Sequence, residues 1–195
     1  MNQPMMLADS ILAVRGRREA LLRDMGLVVL GSILIAICAR VQLPQWPVPI
    51  TLQPFAVLLV GAALGSRRGS LAAIVYLLEG AAGLPVFASP PFAGIAYFAG
   101  PTAGYLLAFP VAALVVGHLA QRGWDRRMTT AAVAMAAGQA VILLGGFCWA
   151  VFPLGVDAAL ATHVVPFLIG DVLKILLAAA ALPAGWRIVH HLENR

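Results

Sequence analysis

The chain has 195 residues, of which 62% are hydrophobic and only 11% are charged. A soluble domain usually carries about 25% charged residues, so this composition excludes an ordinary soluble protein. The formal net charge of +5 does not indicate a nucleic-acid partner, because in a membrane protein basic residues mark the loops that stay on the cytoplasmic side.

The first 24 residues mix apolar and basic side chains. They are predicted to form either an amphipathic helix on the inner membrane surface or a frayed cytoplasmic tail. No clear small-residue cleavage site follows the first apolar run, so we expect that run to be retained. Five apolar residues could share much of one helix face: Ile11, Leu12, Val14, Leu21 and Leu22.

Six apolar segments follow, and a helix needs roughly 20 apolar residues to cross a bilayer. No Asp, Glu, Lys or Arg occurs in residues 41–66, 80–121 or 128–156. We therefore predict an all-α membrane protein, in which residues 25–184 form one bundle of six transmembrane helices. The predicted spans are 25–39, 51–65, 69–84, 102–121, 128–152 and 162–184.

The arginines alternate between the predicted loops. They precede span one, separate spans two and three, separate spans four and five, and follow span six; Arg40 alone falls in a loop on the other side. Basic residues prefer the cytoplasm, so both termini are predicted to be cytoplasmic, with residues 185–195 as a C-terminal tail. The cytoplasmic set is Arg15, Arg17, Arg18, Arg23, Arg67, Arg68, Arg122, Arg126, Arg127, Arg187 and Arg195.

The two predicted outer segments, 40–54 and 83–105, are rich in Pro and Gly and almost uncharged. Irregular apolar backbone near a membrane is tolerated where it is buried in protein or lines a cavity. We therefore expect irregular outer loops next to a binding site, with loops lying on the outer surface as the alternative.

The motifs of several enzyme classes are missing. The sequence has no nucleotide-binding P-loop, no zinc-binding motif and no paired carboxylates. We therefore expect no metal, no cofactor and no catalytic residues, and predict that the protein is not an enzyme. His163 opens span six and either lines a pocket or caps the interface.

Asp171 and Lys174 stand inside the sixth apolar span, and Lys174 is the only lysine of the chain. A charge at the bilayer centre costs roughly 2.5 to 3.5 kcal/mol on insertion scales. At a spacing of three residues the two side chains share one helix face. They form either a buried pair that sets helix register or a site for a small ligand with both hydrogen-bond donors and acceptors.

Three segments, residues 48–88, 100–110 and 166–178, together resemble the BioY family in order and spacing. BioY proteins are the biotin-specific substrate-binding (S) subunits of energy-coupling-factor (ECF) transporters. The resemblance implies a multi-pass protein of the bacterial cytoplasmic membrane that binds biotin with high affinity from outside. It also implies three partners: the lipid bilayer, a transmembrane coupling protein and cytoplasmic ATPase subunits.

The resemblance also implies site residues. The family's G-D-x-x-K motif covers Asp171 and Lys174, which are expected to contact the ureido ring of biotin, with its two N–H donors and one carbonyl. The family's V-P-x-T-x-Q and G-P-T-x-G-Y stretches make Thr51, Gln53 and Tyr105 pocket candidates, with core packing as the alternative.

Four further residues, Glu79, Arg40, Ser32 and Ala36, have predicted roles. Glu79 stands where we expect an uncharged residue, and either adds an acceptor to the pocket or reaches the outer interface. Arg40 is predicted near the pocket mouth, beside the valerate carboxylate of biotin. Ser32 and Ala36, small residues four apart, are predicted to contact the coupling protein, because such spacing lets helices approach closely.

Three other functions remain open from the sequence. The chain could be an S subunit for another vitamin, an intramembrane enzyme that uses Asp171 or His163 as a base, or a structural membrane-assembly factor. Biotin binding by the purified protein separates these hypotheses from the BioY reading.

Overall fold

A computed structural model describes residues 6–12, 16–43 and 48–193. This part of the chain contains eight α-helices, three short 3-10 helices and one two-stranded antiparallel ribbon. The helices are α1 (Leu7–Ile11), α2 (Arg17–Arg40), α3 (Gln53–Leu64), α4 (Ser66–Ala81), α5 (Ala103–Ala120), α6 (Met128–Leu154), α7 (Val156–His163) and α8 (Leu168–Glu193). The strands are β1 (Gln42–Leu43) and β2 (Ile50–Thr51), and the 3-10 helices are Ile95–Ala99, Trp124–Arg126 and Val165–Phe167.

The predicted all-α membrane class is confirmed. Within the described residues, four stretches are long and apolar enough to cross a membrane: α2, α5, α6 and the stretch Val156–Val189, which combines α7 with most of α8. Helix α3 is apolar but has only 12 residues, or about 18 Å at 1.5 Å per residue. Because the hydrocarbon core is about 30 Å thick, α3 is too short to cross it alone, and most of its residues are buried against neighbouring helices.

Two helices run beyond the predicted spans. Helix α2 begins at Arg17 rather than at residue 25, because residues 17–24 are mostly strong helix formers such as Arg, Glu, Ala and Leu. Helix α8 continues through Pro183 to Glu193, so residues 185–193 extend the helix. Hydropathy marks where the bilayer begins, whereas a helix ends only where capping or a breaking residue stops it.

The N-terminal helix α1 folds back onto the bundle. Met6, just before it, is buried in the main core, and Asp9 accepts hydrogen bonds from both terminal nitrogens of Arg68 at 2.7 and 2.6 Å. Arg23 lies 3.1 Å from the same carboxylate. Three residues used in the predictions, Val14, Arg15 and Arg195, lie outside the described residues.

Glycines allow α6 to pack directly on its neighbours. A Cβ atom at Gly104 of α5 would collide with the backbone carbonyl of Gly145 of α6, and one at Gly138 would collide with Val116 and Leu58. Small residues let helix backbones approach each other in this way. The close contact sets the height and rotation of α6 beside α3 and α5.

The segment between α4 and α5, residues 82–102, is irregular apart from the 3-10 turn Ile95–Ala99. Its aromatic residues pack inward rather than spread over a surface. Phe87 is completely buried, stacks on Tyr97 at 4.4 Å and meets Tyr76 of α4 edge-on at 5.8 Å. Phe87, Ala88 and Tyr97 are buried, and the other residues of the segment are partly or fully exposed, so the segment is anchored by a few inward side chains and otherwise lies at the surface of the protein.

Candidate ligand-binding site

One cavity lies between α3, α5, α6 and α8, and the strand β2 and the α4–α5 segment border it. Its walls are largely apolar, with a few polar side chains from different elements, which is the usual make-up of a small-molecule site. The apolar wall includes Leu106, Phe109, Ile142, Leu143 and Phe167, and the polar lining includes Thr51, Gln53, Thr102, Tyr105, Gln139, Asp171 and Lys174.

Asp171 and Lys174 meet in this cavity, as predicted from their spacing. Lys174 Nζ donates a hydrogen bond to Asp171 Oδ1 at 3.1 Å, and only 3% of Asp171 and 6% of Lys174 is exposed. Asp171 Oδ2 is buried and has no hydrogen-bond partner among the described residues. Leaving a buried acceptor unpaired costs about 1–3 kcal/mol, and more for a charged group, so this oxygen is poised to accept from a ligand.

Thr51 and Gln53 line the cavity, but their polar groups are already engaged. Thr51 Oγ1 donates to Gln53 Oε1 at 3.2 Å, and Gln53 Nε2 donates to the hydroxyl of Tyr76 at 2.7 Å. The Tyr76 hydroxyl in turn donates to the carbonyl of Val86 at 3.3 Å. These bonds tie the start of α3 to α4 and to the α4–α5 segment. Thr51 and Gln53 therefore both line the cavity and stabilise the packing of the core, which was the alternative role predicted for them.

Tyr105 presents its side chain to the cavity while its hydroxyl points elsewhere. The hydroxyl donates to the carbonyl of His163 at 2.5 Å, and the two rings are stacked at 6.2 Å. His163 is 1% exposed, and its Nδ1 lies 2.8 Å from Thr162 Oγ1. His163 is therefore buried behind Tyr105 and does not line this cavity.

Glu79, Ser32 and Ala36 lie away from the cavity. Ser32 Oγ donates to Glu79 Oε1 at 3.0 Å, which joins α2 to α4. Ser32 is completely buried and Ala36 is partly buried against the main core. The predicted partner face is therefore closed in this structure, and Glu79 adds no acceptor to the cavity. The face of α2 that is exposed carries larger apolar residues: Leu30, Ile33, Leu34 and Ile37.

Arg40 contacts the α4–α5 segment rather than the cavity. Its guanidinium donates to the carbonyl of Pro85 and lies over the ring of Phe92, 4.6 Å from the centroid. Nearby, Gln42 Nε2 donates to the carbonyl of Ala88 at 3.1 Å, and Ala88 lines the cavity. Arg40 thus holds the α4–α5 segment, which borders the cavity, through its contacts with Pro85 and Phe92.

Gln139 of α6 lines the cavity and is not among the residues predicted from the sequence. It is 3% exposed, and its Oε1 has no hydrogen-bond partner among the described residues. A signal was available, because Gln139 is the one amide side chain in the 27 residues of α6. The predicted site residues came from the intramembrane charges and from the family-like stretches, and Gln139 belongs to neither group, although a polar side chain midway along a membrane helix also indicates function.

The comparison with known proteins identifies the family. The chain matches the BioY family over residues 8–191. It belongs to the BioY family. The predicted resemblance is therefore confirmed over nearly the whole chain.

BioY proteins of other organisms are similar to this chain over most of their length. The probable biotin transporter BioY of Pyrococcus horikoshii is 37% identical over 156 residues, which cover 80% of this chain and 91% of that protein. The biotin transporter BioY of Thermotoga maritima is 37% identical over 146 residues, covering 75% and 85% respectively.

The BioY fold is also found in a solved structure. The crystal structure at 2.1 Å of the S-component for biotin from an ECF-type ABC transporter superimposes with a TM-score of 0.72. The superposition covers 93% of this chain and 96% of that one, at 20% sequence identity. At that identity the likeness concerns the fold.

Proposed function

We propose that this chain is the biotin-binding S subunit of an ECF-type transporter in the bacterial cytoplasmic membrane, and that it takes part in biotin uptake. One observation carries the proposal: the buried pair of Asp171 and Lys174 lies in the cavity and leaves one carboxylate oxygen unpaired. A carboxylate beside an ammonium complements the N–H and carbonyl groups of a ureido ring. The names of the BioY relatives support biotin as the ligand.

The proposed topology has six membrane segments, built on α2, α3, α4, α5, α6 and α8, with both termini in the cytoplasm; α3 by itself is too short to reach across the hydrocarbon core. Residues 25–184 form the transmembrane domain, and residues 1–24 and 185–195 lie on the cytoplasmic side. The arginines at the α3–α4 and α5–α6 turns support this arrangement. In a variant without the native Cys38 and Cys148, a cysteine introduced at Ser66, the first residue of α4, should react with an impermeant reagent only after the membrane is opened. Labelling of intact cells would contradict the topology.

The solved relative is described as part of an ECF-type ABC transporter, which supports a transmembrane coupling protein and cytoplasmic ATPase subunits as partners. Contact of Ser32 and Ala36 with the coupling protein requires α2 to separate from α4, because Ser32 is buried against Glu79. Bulky replacement at Ala36 should then reduce uptake by the assembled transporter while the isolated subunit still binds biotin. Loss of biotin binding in the folded subunit would assign this face to the ligand instead.

The proposal is tested by titrating the purified protein with biotin and, in competition, with other vitamins. Asp171→Asn keeps the shape of the side chain but removes its charge, and should weaken biotin binding by about 100-fold or more, as expected for a broken buried pair. Glu79→Gln is the matched control, since Glu79 is an acid in the same bundle that does not line the cavity. The control should bind like the wild type.

Two results would contradict the proposed function. One is a wild-type protein that is folded but shows no biotin binding. The other is a folded Asp171→Asn variant whose affinity for biotin equals that of the wild type.

A further inference from the structure

Three buried side-chain oxygens of the described chain lack a hydrogen-bond partner: Asp125 Oδ1, Gln139 Oε1 and Asp171 Oδ2. Buried polar atoms are nearly always paired in native proteins, so each exception asks for an explanation. Two of the three, on Gln139 and Asp171, line the same cavity. Their missing partners therefore point to a molecule that binds between them.

Most of the other polar side chains that line the cavity are already bonded within the protein; the Thr102 hydroxyl makes no side-chain hydrogen bond among the described residues, but it is not one of the buried unpaired atoms. The hydroxyl of Thr51 and both ends of the Gln53 amide are bonded within the protein. The hydroxyl of Tyr105 donates to His163. Gln139 differs, because its amide group makes no hydrogen bond within the described residues.

The placement of Gln139 is rigid. The preceding residue, Gly138, packs so closely against Val116 and Leu58 that a side chain there would collide with both. This contact fixes the rotation of α6, and the next residue, Gln139, lines the cavity that lies between α6 and α8. The amide is thus presented to the cavity by a fixed helix backbone and not by a loop.

We infer that Gln139 binds the ligand directly, as the second acceptor of a cyclic urea. The inference rests on the proposed function and extends it. Asp171 and Lys174 are hydrogen-bonded to each other on α8, so they can serve one N–H and the adjacent carbonyl of the ring. The second N–H of a cyclic urea lies on the far side of that carbonyl and needs an acceptor from another element. Gln139 Oε1, on α6, is buried and available for it.

Gln139→Met tests this inference with little change in side-chain volume. Because Gln139 is unpaired in the ligand-free protein, the variant should unfold at the wild-type temperature or above, since an apolar group there removes a buried unsatisfied acceptor. Biotin affinity should fall by about 10- to 100-fold, because one ligand N–H is left buried without a partner. A purely structural glutamine would show the opposite pattern: lower thermal stability with unchanged affinity.

Gln121→Met is the matched control. Gln121 also carries an amide, at the end of α5, but it accepts a hydrogen bond from Ser66 at 2.9 Å and does not line the cavity. Its variant should bind biotin with wild-type affinity. A loss of affinity in this control equal to that of Gln139→Met would overturn the inference, because the effect would then not depend on the cavity.

Biotin analogues supply a second measurement that needs only the wild-type protein. In each analogue one of the two ureido N–H groups is replaced by a ring oxygen, which keeps the shape but turns a donor into an acceptor. Both analogues should bind at least 10-fold more weakly than biotin, since each places an oxygen against Asp171 or Gln139. For one of the two, Gln139→Met should abolish most of the difference.

The outcomes separate the two proposals. Failure of the wild type to bind biotin contradicts the proposed function and this inference with it. Wild-type binding together with unchanged affinity in folded Gln139→Met contradicts this inference alone. The same holds if one analogue binds as tightly as biotin, because only one of the two N–H groups would then have a protein acceptor.

Discussion

Replacing Lys174 with methionine keeps most of the side chain but removes the ammonium that lies 3.1 Å from Asp171 Oδ1. Asp171, 3% exposed, would then have neither oxygen bonded to a described residue. Removing one partner of a buried pair costs about 3–5 kcal/mol. In a protein of this size 1 kcal/mol corresponds to about 2–4 °C, so the unfolding midpoint should fall by roughly 6–20 °C.

Removing both charges should have a different effect on stability. In the double variant Asp171→Leu, Lys174→Met no buried charge remains, and replacing a buried pair by apolar groups is often neutral or stabilising. The double variant should therefore unfold near the wild-type temperature. Its biotin affinity should nevertheless be at least 100-fold weaker, because both polar contacts to the ureido ring are gone.

Thermal unfolding of the ligand-free proteins and calorimetric titration with biotin measure the two effects separately. A double variant that unfolds as early as Lys174→Met would show that the pair sets helix register. A double variant that binds biotin like the wild type would show that the pair is not the ligand site. Either result would refute the hypothesis that the buried pair of Asp171 and Lys174 is a ligand site.

Three further predictions concern residues outside the cavity. Burial raises the pKa of Asp125 above its usual range, although the hydrogen bond from Trp186 Nε1 at 2.6 Å acts in the opposite direction. Asp125→Asn keeps an acceptor for that hydrogen bond but removes the buried charge, so it should raise the unfolding midpoint at pH 7. Burial also acts to raise the pKa of Asp9, but the hydrogen bonds and charge of Arg68 outweigh it and lower the pKa; Asp9→Asn should cost about 1 kcal/mol, or about 2–4 °C at pH 7. Arg40→Ala frees the α4–α5 segment, and biotin should dissociate about 5-fold faster, as expected for a loss of about 1 kcal/mol.

The pH and salt dependence checks these three predictions. The pKa of Asp125 is raised in the folded protein. The contribution of protonated Asp125 to the free energy of unfolding is therefore fully present below the unfolded pKa of about 3.9, and it is lost as pH rises through the folded pKa. The rise in unfolding midpoint caused by Asp125→Asn should therefore vanish near pH 4. A rise that stays constant with pH would contradict this prediction. The folded pKa of Asp9 is lowered, so its contribution exists above about pH 3.9 and is lost as pH falls through the folded value. The midpoints of Asp9→Asn and the wild type should converge at low pH. For Arg40→Ala the effect should be equal at low and high salt, whereas a direct contact with the valerate carboxylate would be screened by salt.

The sequence determined the features that depend on local spacing and on the cost of charge in a bilayer. Asp171 and Lys174 are three residues apart on one helix, so their meeting follows from helix geometry without knowledge of any other element. Their position in an apolar span makes them a candidate site for the same local reason. The membrane class and the family resemblance likewise follow from composition and from motifs that are continuous in the chain.

Which faces of the helices meet could not be predicted from the sequence and became known from the three-dimensional packing. A membrane helix is apolar both toward the lipid and toward its neighbours, so its sequence lacks the polar stripe that shows which side of a soluble helix faces the core. Ser32 was therefore predicted on a partner face but is buried against Glu79. Gln139 was overlooked but faces the cavity, because close packing at Gly138 sets the rotation of α6. Such contacts join residues far apart in the chain, and no local pattern encodes them.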